Sequence, residues 1–328
     1  MSNDIVAVVC IPSFRRPEGL RRTLQSLDAQ KTDFPFAIAV IDNDAGGQQA
    51  LAEAEAFFAR TGRAGVAAVE AQQGNVHAIN AVFALARTKF PQAKYLLMID
   101  DDEAASPTWL AAMAETAERY TADIVGGPVA REFDSTVSAA IRAHPLFGSI
   151  DARTGPIDII HGTGNCLIRR DVFERLDQPL FDVQFNFLGG GDMDFFSRAR
   201  RAGLRFAWCE EAVITEFVSG ERLSPRWLMA RSIRTGTINY TMDRLRVSGW
   251  GQHALLVAKN AISLGLSIPR MALVLLRTGR FLSATHPPLM SLGRILGSLG
   301  IVPTPYRGKP SGSEGRGAPS GPVADVRR

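Results

Sequence analysis

The order of apolar and amphipathic segments in the first 120 residues constrains the fold more than any other feature of the sequence. Segments in which apolar residues recur every three or four positions separate four apolar runs, at 5–11, 36–41, 65–69 and 95–99. The runs are typical of strands and the segments between them of helices that bury one face. This β-α-β-α order predicts an α/β domain with a mostly parallel, Rossmann-like sheet that is covered by helices on both faces.

Polar clusters follow three of the predicted strands. They lie at 13–16, 42–44 and 100–103. In open parallel sheets, ligands bind beyond the carboxyl ends of the strands, where such clusters would meet. The sequence therefore predicts a binding site at one edge of the sheet.

The acidic cluster from Asp100 to Glu103 is the sharpest local motif. Alternate side chains of an extended segment point the same way, so we expect Asp100 and Asp102 to face one site. Carboxylates this close repel each other unless a cation lies between them, and Mg²⁺ or Mn²⁺ suits such oxygen ligands. The same residues would also form a solvated acidic loop before the helix predicted from Pro107. A metal site and a solvated loop therefore both stay open at this point.

Two other acidic positions are candidates for chemistry. Asp42 ends the second predicted strand and could accept hydrogen bonds from a base or a ribose, although an Asx-turn would use the same residue. Asp192 follows three glycines and begins a predicted helix at 192–202. A carboxylate there can act as a general base or as an ordinary N-cap.

These motifs occur in an order that resembles family 2 glycosyltransferases of the GT-A fold, closest to bacterial exopolysaccharide (succinoglycan-type) glucosyltransferases. The matching strings are IPSFRRPEGLRRTLQSL at 11–27, VIDND at 40–44, GNVHAINAVFALA at 74–86, YLLMIDDDEAASPTWL at 95–110, GTGNCLIRR at 162–170, GGGDMDFFSRARRAG at 189–203 and FVSGERLSPRWLMARSIRTG at 217–236. The resemblance covers residues 5 to 240.

The resemblance implies an inverting, metal-dependent transfer of a sugar from a nucleotide-diphosphate sugar, with a UDP-sugar as the expected donor. The acceptor would be a saccharide or a lipid-linked saccharide in cell-surface or exopolysaccharide synthesis. The residues that the resemblance assigns to the nucleotide are Pro12, Ser13, Phe14, Asp42, Asp100 and Asp101. Those assigned to Mg²⁺ or Mn²⁺ are Asp100, Asp102 and Glu216, and those assigned to the base are Asp192 and, alternatively, Asp194.

Three positions depart from the family pattern. Gly191 stands where a glutamate is usual, Ile79 where an arginine is usual, and Asn43 where a second aspartate is frequent. These departures leave open a catalytically impaired nucleotide-sugar-binding protein. A phosphotransfer enzyme with an aspartate nucleophile is disfavoured, because Ala104 follows the acidic cluster and the cluster follows the fourth strand rather than the first.

The second half of the chain is basic and its end is apolar. Lys259, Arg270 and Arg277 interrupt apolar runs between 254 and 299. We therefore expect helices that pack on the main domain or lie at a membrane interface, rather than a membrane span. The predicted organisation is a catalytic domain at 1–250, an amphipathic helical extension at 251–307 and a disordered tail at 308–328.

The charge distribution also bears on partners and location. The formal net charge is +4, and the basic excess predicts an anionic partner such as a phosphate-bearing substrate or a membrane surface. Nucleic acid is not expected, because basic residues are not interleaved with aromatic ones. The first apolar run lacks the features of a signal peptide. These observations predict a cytoplasmic protein that associates with the inner face of the plasma membrane.

Overall fold

The computed structural model describes residues 5–134, 136–218 and 220–301. The strands are β1 (Ala7–Ser13), β2 (Phe36–Asp42), β3 (Gly65–Val69), β4 (Tyr95–Met98), β5 (Glu103–Ala105), β6 (Ile124–Gly126), β7 (Val129–Phe133), β8 (Gly155–Ile157), β9 (Cys166–Arg169), β10 (Phe206–Trp208) and β11 (Ile214–Val218). The helices are α1 (Pro17–Asp28), α2 (Gln49–Thr61), α3 (Asn75–Lys89), α4 (Trp109–Arg119), α5 (Ala139–Arg142), α6 (Val172–Arg175), α7 (Gly191–Arg201), α8 (Pro225–Leu245), α9 (Trp250–Thr278), α10 (Phe281–Ala284) and α11 (His286–Ser298).

The main sheet has eight strands in the order β3-β2-β1-β4-β9-β6-β10-β8. The pairs β1–β2, β1–β4, β2–β3 and β6–β10 are parallel, whereas β9 is antiparallel to both β4 and β6. Six strands therefore run in one direction, and β8 and β9 run against them. The predicted α/β fold with a mostly parallel sheet is confirmed. The carboxyl ends of β1, β2, β4, β6 and β10 consequently meet at one edge, together with the start of β9.

Alternation along the strands gives the sheet two apolar faces. In β1, Val8 and Cys10 face one core, whereas Val9 and Ile11 face the other. The first core packs against α3 and α7 and the second against α1, α2 and α4. Because both faces are covered, the central strands are apolar throughout, which is why they appear as continuous runs in the sequence.

A smaller sheet in the order β5-β11-β7 stands beside the main one. Its register places Glu216 of β11 opposite Glu103 of β5 on one side and opposite Arg131 of β7 on the other. Three charged residues that are far apart in the sequence thus become neighbours next to the acidic cluster.

The acidic cluster itself differs from the expectation. Residues 101 and 102 form a turn between β4 and β5 rather than an extended segment. Alternation therefore does not apply, and Asp100 and Asp102 leave the backbone towards different spaces. The helix that follows begins at Trp109, so Pro107 precedes it.

Helices α8 and α11 approach each other closely at glycines. A Cβ atom added to Gly293 would lie 1.9 Å from the carbonyl oxygen of Ile233, and one added to Gly236 would lie 2.0 Å from that of Met290. The two backbones are thus in contact, because neither helix carries a side chain at the crossing. The predicted division at 250 places these two packed helices in different segments.

Helix α9 buries few residues, one apolar (Leu256) and two polar, and leaves most of its apolar residues exposed. Asn260 and Ser267 are buried, and Arg294 of α11 donates a hydrogen bond to Asn260 at 2.7 Å. In contrast, Trp250 is 87% and Leu276 is 85% exposed. A helix in a water-soluble protein normally buries its apolar stripe.

The expectation that the basic residues disfavour a membrane span stays a prediction, because length and composition alone do not decide it. In the described part of the chain one helix, Trp250–Thr278, is long and apolar enough to cross a membrane. Its most apolar window has a mean hydropathy of 1.4, and 6% of that window is buried. Lys259, Pro269 and Arg270 interrupt the apolar runs without ending the helix. The predicted tail at 308–328 lies outside the described residues.

Candidate active site

A cavity of about 400 Å³ opens at the edge of the main sheet where the parallel strands end. Its walls come from the ends of β4, β6 and β10, the loop before β9, the start of α7, strand β11 and helix α8. The acidic and arginine residues in the lining are Asp100, Glu103, Arg131, Asp192, Glu216 and Arg231. The sheet topology therefore brings Asp100, Asp192 and Glu216, three of the predicted site residues, around one space.

One end of the cavity is acidic and buried. Burial raises the pKa of Asp100 to about 7, with further contributions from Asp102, Asp101 and Glu216. Burial and the neighbouring Asp100 also hold the pKa of Glu103 well above its usual value. The Glu103 carboxylate accepts a hydrogen bond from the backbone N–H of Asp100 at 2.8 Å, which fixes the two acids side by side. Groups arranged in this way favour a cation or a proton between them.

Arginines hold the outer carboxylates. Arg222, in the turn before α8, contacts Glu216 at 2.8 Å and Asp102 at 3.3 Å through the same nitrogen. Arg16 contacts Asp102 at 2.7 Å, and Arg131 contacts Glu216 at 3.1 Å. Asp102 and Arg222 line a neighbouring cleft of about 400 Å³, whose other basic lining residues are Arg15, Arg16 and Arg22. Asp102 thus stands between this cleft and the acidic end of the cavity.

The donor set fits a divalent ion only with help from a ligand. Within the described ranges, no three His, Cys, Asp or Glu side chains are grouped so as to hold an ion by themselves. Mg²⁺, however, is commonly held by one or two carboxylates plus the phosphates of a substrate. Asp102 and Glu216 can supply these carboxylates, because the side chains of both acids remain partly accessible. Arg222, which now pairs with both, lies outside the sheets, in the turn before α8.

The predicted nucleotide residues of the first strand lie next to the acidic turn. The Ser13 hydroxyl donates to Asp101 at 2.7 Å, and the Phe14 N–H donates to the same oxygen at 3.2 Å. Pro12 lies directly before these two residues, in the part of β1 that pairs with β2. Burial raises the pKa of Asp101, whereas Arg16 and Ser13 oppose that shift. Asp101 thereby fastens the loop after β1 to the turn after β4.

Asp42 is buried and its carboxylate is occupied by the backbone. It accepts from the N–H groups of Ala50 and Leu51 at the start of α2, at 2.8 and 3.0 Å, and from that of Asp44 at 2.9 Å. The last bond is the Asx-turn that the sequence offered as an alternative. As placed, this carboxylate organises the loop after β2, and its contact with a nucleotide stays a prediction.

The two candidate bases lie in different surroundings. Asp192 lines the cavity and accepts a hydrogen bond from the N–H of Met193 at 2.8 Å. Asp194 is buried and contacts Arg198 at 2.7 Å, one helical turn further along. Gly191, which replaces the usual glutamate, faces apolar side chains, because a Cβ atom there would lie 3.3 Å from Val76 and 3.5 Å from Phe185. A longer side chain at this position would therefore meet the apolar core beside the cavity at its Cβ atom.

Several residues that shape the site were not predicted. Asn43 donates to the carbonyls of Glu70 and Gln72 and accepts from the N–H of Gly74, so it fixes the loop before α3. Asn186 accepts from the N–H of Val76 at the first turn of the same helix. The arginines at 222 and 231 were also missed. A pattern in one sequence does not signal such contacts, because their partners lie far along the chain.

Comparison with known proteins gives the class. The model of the family "Glycosyl transferase family 2" matches residues 8–177. The chain is also 30% identical over 252 residues to the succinoglycan biosynthesis protein ExoM of Rhizobium meliloti (strain 1021), which covers 72% of this chain and 75% of ExoM. The chain therefore belongs to glycosyltransferase family 2, as the resemblance of its motifs predicts.

Solved structures agree on the fold. TarS 1–349 of S. aureus in complex with UDP matches with a TM-score of 0.50 and 13% identity over 90% of this chain and 92% of that one. GalNAc-T7 with UDP, GalNAc and Mn²⁺ matches with a TM-score of 0.51 and 13% identity over 72% of this chain. The chain spans 48% of GalNAc-T7 and 42% of a longer TarS chain. The GT-A fold is thus confirmed.

Proposed function

We propose that this protein is an inverting, metal-dependent glycosyltransferase that moves a sugar from a UDP-sugar to a saccharide or lipid-linked acceptor in exopolysaccharide synthesis. The observation that carries the proposal is the single cavity that joins the acidic end, with Asp100 and Glu216, to Asp192 at the start of α7. Inverting transfer needs a charge-neutralising end for the leaving diphosphate and a carboxylate for the acceptor hydroxyl.

The donor assignment rests on the strand ends and on the relatives. The loop after β1 and the acidic turn are fastened together by Asp101, so a nucleotide that binds there would meet both. TarS and GalNAc-T7 were solved with UDP, and GalNAc-T7 also with Mn²⁺. Exopolysaccharide synthesis is supported by the name of ExoM, the relative with 30% identity.

In this proposal the charged side chains of the cavity and of the neighbouring cleft have separate tasks. Asp102 and Glu216 hold Mg²⁺ or Mn²⁺ together with the donor's phosphates, and Asp100 lies behind them at the buried end. The ion supplies charge neutralisation for the leaving diphosphate. Arg16 and Arg222, which pair with these carboxylates in the structure, would contact the donor's phosphates. Asp192 accepts the proton of the acceptor hydroxyl.

Removing the metal ion should remove most turnover. We expect wild-type protein with Mn²⁺ to release UDP from a UDP-sugar and EDTA to suppress this release. Asp102→Asn should lower turnover about tenfold to a hundredfold at fixed Mn²⁺, because a neutral amide binds a divalent ion more weakly. The measurement is UDP release, with GDP- and dTDP-sugars as donor controls.

The control for this experiment is Asp28→Asn, a change of the same type at an exposed ion pair with Arg63 far from the cavity. Undiminished turnover of Asp102→Asn in EDTA would rule out the metal assignment. UDP binding without any turnover would instead favour the catalytically impaired binding protein.

We place the enzyme at the inner face of the plasma membrane, with α9 at the interface. At about 100° per residue, Lys259, Arg270 and Arg277 fall within about 20° of one another around the helix. The wide face next to this basic line carries exposed apolar residues, which include Leu255, Ile262, Leu266 and Leu276. An apolar face bordered by basic residues suits a helix that lies in the headgroup region of an anionic membrane.

Vesicle binding tests this placement. We expect the protein to sediment with vesicles that contain phosphatidylglycerol and to be released by high salt, because screening weakens surface attraction. Changing Lys259, Arg270 and Arg277 together to Gln should weaken binding by about 3 kcal/mol, at about 1 kcal/mol for each residue.

A triple variant with the same loss of charge provides the control. Lys31, Arg60 and Lys89 are exposed and lie outside α9 and outside the helices α8, α10 and α11 that contact it. If their replacement by Gln weakens vesicle binding equally, net charge rather than α9 is responsible and the placement of α9 is wrong.

A further inference from the structure

Helix α8 forms the wall of the cavity between its two functional ends. Near its middle, Ile238 covers Gly190, so closely that a Cβ atom on that glycine would lie 2.5 Å from Ile238 Cγ2. Gly190 immediately precedes α7 and Asp192. The turn that precedes the first residue of α8 carries Arg222, which contacts Glu216 and Asp102. Helix α8 thus runs from the carboxylate end of the cavity to the candidate base.

Arg231 lies on this wall. It precedes Ile238 by seven residues, so it projects from the same face of α8, about 10 Å closer to the carboxylate end. It is half-buried and lines the cavity. The other arginine of the lining, Arg131, is held by Glu216 and by the carbonyl of Phe147. No ion pair or hydrogen bond of the Arg231 guanidinium is found among the described residues.

We propose that Arg231 binds a phosphate group of the acceptor substrate. A half-buried guanidinium with no partner among the described residues is suited to bind an anion, because its charge and its fork of N–H donors are otherwise unsatisfied. This inference rests on the proposed function, which places an acceptor next to Asp192. A lipid-linked saccharide carries such a phosphate at its lipid end.

The phosphate that contacts Arg231 could instead belong to the diphosphate of the donor. Arg16 and Arg222 already stand beside Asp102, where that diphosphate would lie, whereas Arg231 is further along α8. The same helix packs on α11, and α11 packs on the apolar, exposed α9. An acceptor that approaches from a lipid surface would meet the α8 wall, which favours the acceptor as the source.

The experiment uses farnesyl diphosphate as the probe and farnesol as its uncharged counterpart. Binding to the full chain is measured by titration calorimetry in detergent, with the donor site saturated by UDP and Mn²⁺ and also without them. We expect wild-type protein to bind farnesyl diphosphate more tightly than farnesol. Arg231→Gln should weaken farnesyl diphosphate about tenfold to a hundredfold, because a charge-assisted hydrogen bond is lost. Arg231→Lys should recover part of the loss.

The controls separate the outcomes. Arg226→Gln removes an exposed arginine from the first turn of the same helix and should leave farnesyl diphosphate binding unchanged. The Kd for UDP with Mn²⁺ should be the same in wild type and in Arg231→Gln. A Kd for UDP that rises as much as the Kd for farnesyl diphosphate would assign Arg231 to the donor and overturn the proposal. Equal binding of farnesyl diphosphate and farnesol by wild type would also overturn it.

Failure of UDP to bind wild-type protein would instead contradict the proposed function, and the titrations without UDP would still test Arg231.

Discussion

Replacing Asp192 by Asn should abolish most sugar transfer and leave donor binding intact. The amide keeps the size of the side chain and can still accept from the N–H of Met193, but it cannot take a proton from an acceptor hydroxyl. General base catalysis contributes roughly a hundredfold to ten-thousandfold to rate, so we expect kcat to fall by that factor. Transfer is measured with a saturating UDP-sugar, and UDP affinity is measured separately by titration calorimetry.

Asp194→Asn is the matched control for this prediction. Its carboxylate is buried in an ion pair with Arg198 and does not line the cavity. Removing the charge leaves Arg198 without its partner, so the variant should lose thermal stability while it keeps its turnover at low temperature. A stable but inactive Asp194→Asn beside an active Asp192→Asn would show that the base has been assigned to the wrong aspartate.

Adding a methyl group at Gly293 should strongly destabilise the C-terminal helices. The Cβ atom of Gly293→Ala would lie 1.9 Å from the carbonyl oxygen of Ile233, which is a backbone atom and cannot rotate away. Helices α8 and α11 must then separate. Overpacking a buried site costs about 1–3 kcal/mol, and a backbone contact places this site at about 3 kcal/mol or above. Thermal unfolding and limited proteolysis measure the effect.

Gly265→Ala is a control for which we expect the opposite effect on the stability of the folded protein. Gly265 lies inside α9, and apart from its own stretch of helix no atom of the described residues is within 4 Å of the position of its added Cβ. Alanine is the better helix former by about 1 kcal/mol, so this variant should be slightly more stable than wild type. Similar stabilities of Gly293→Ala and Gly265→Ala would mean that α8 and α11 are not in backbone contact.

The order of strands and helices could be predicted because burial imposes a regular pattern on the sequence. β1 and β2 are covered on both faces and are apolar throughout, and α7 shows its inward residues at helical spacing. The position of Asp100 at the edge of the cavity follows from the same topology, whereas the roles of Asp192 and Glu216 were assigned from the family resemblance. Parallel strands bring their carboxyl ends together whatever the details of the loops.

The charges that act between distant segments could not be predicted. Arg222 and Asp102 are 120 positions apart, and their contact depends on the register of β11 against β5. The extended geometry expected at Asp100 to Asp102 was wrong because the chain turns there to enter the small sheet. The length of α9 was not predicted either, since scattered basic residues do not end a helix when they can extend to its surface.

The polarity of α9 also has a consequence for the protein in solution. Nothing in the described part of the chain covers the exposed apolar face of this helix, so without lipid the purified protein should form oligomers at high concentration. Sulfate salts strengthen apolar association, whereas they screen the attraction of Lys259, Arg270 and Arg277 to anionic headgroups. The same change of buffer that detaches the enzyme from vesicles should therefore drive it to associate with itself, and mild detergent should prevent this association.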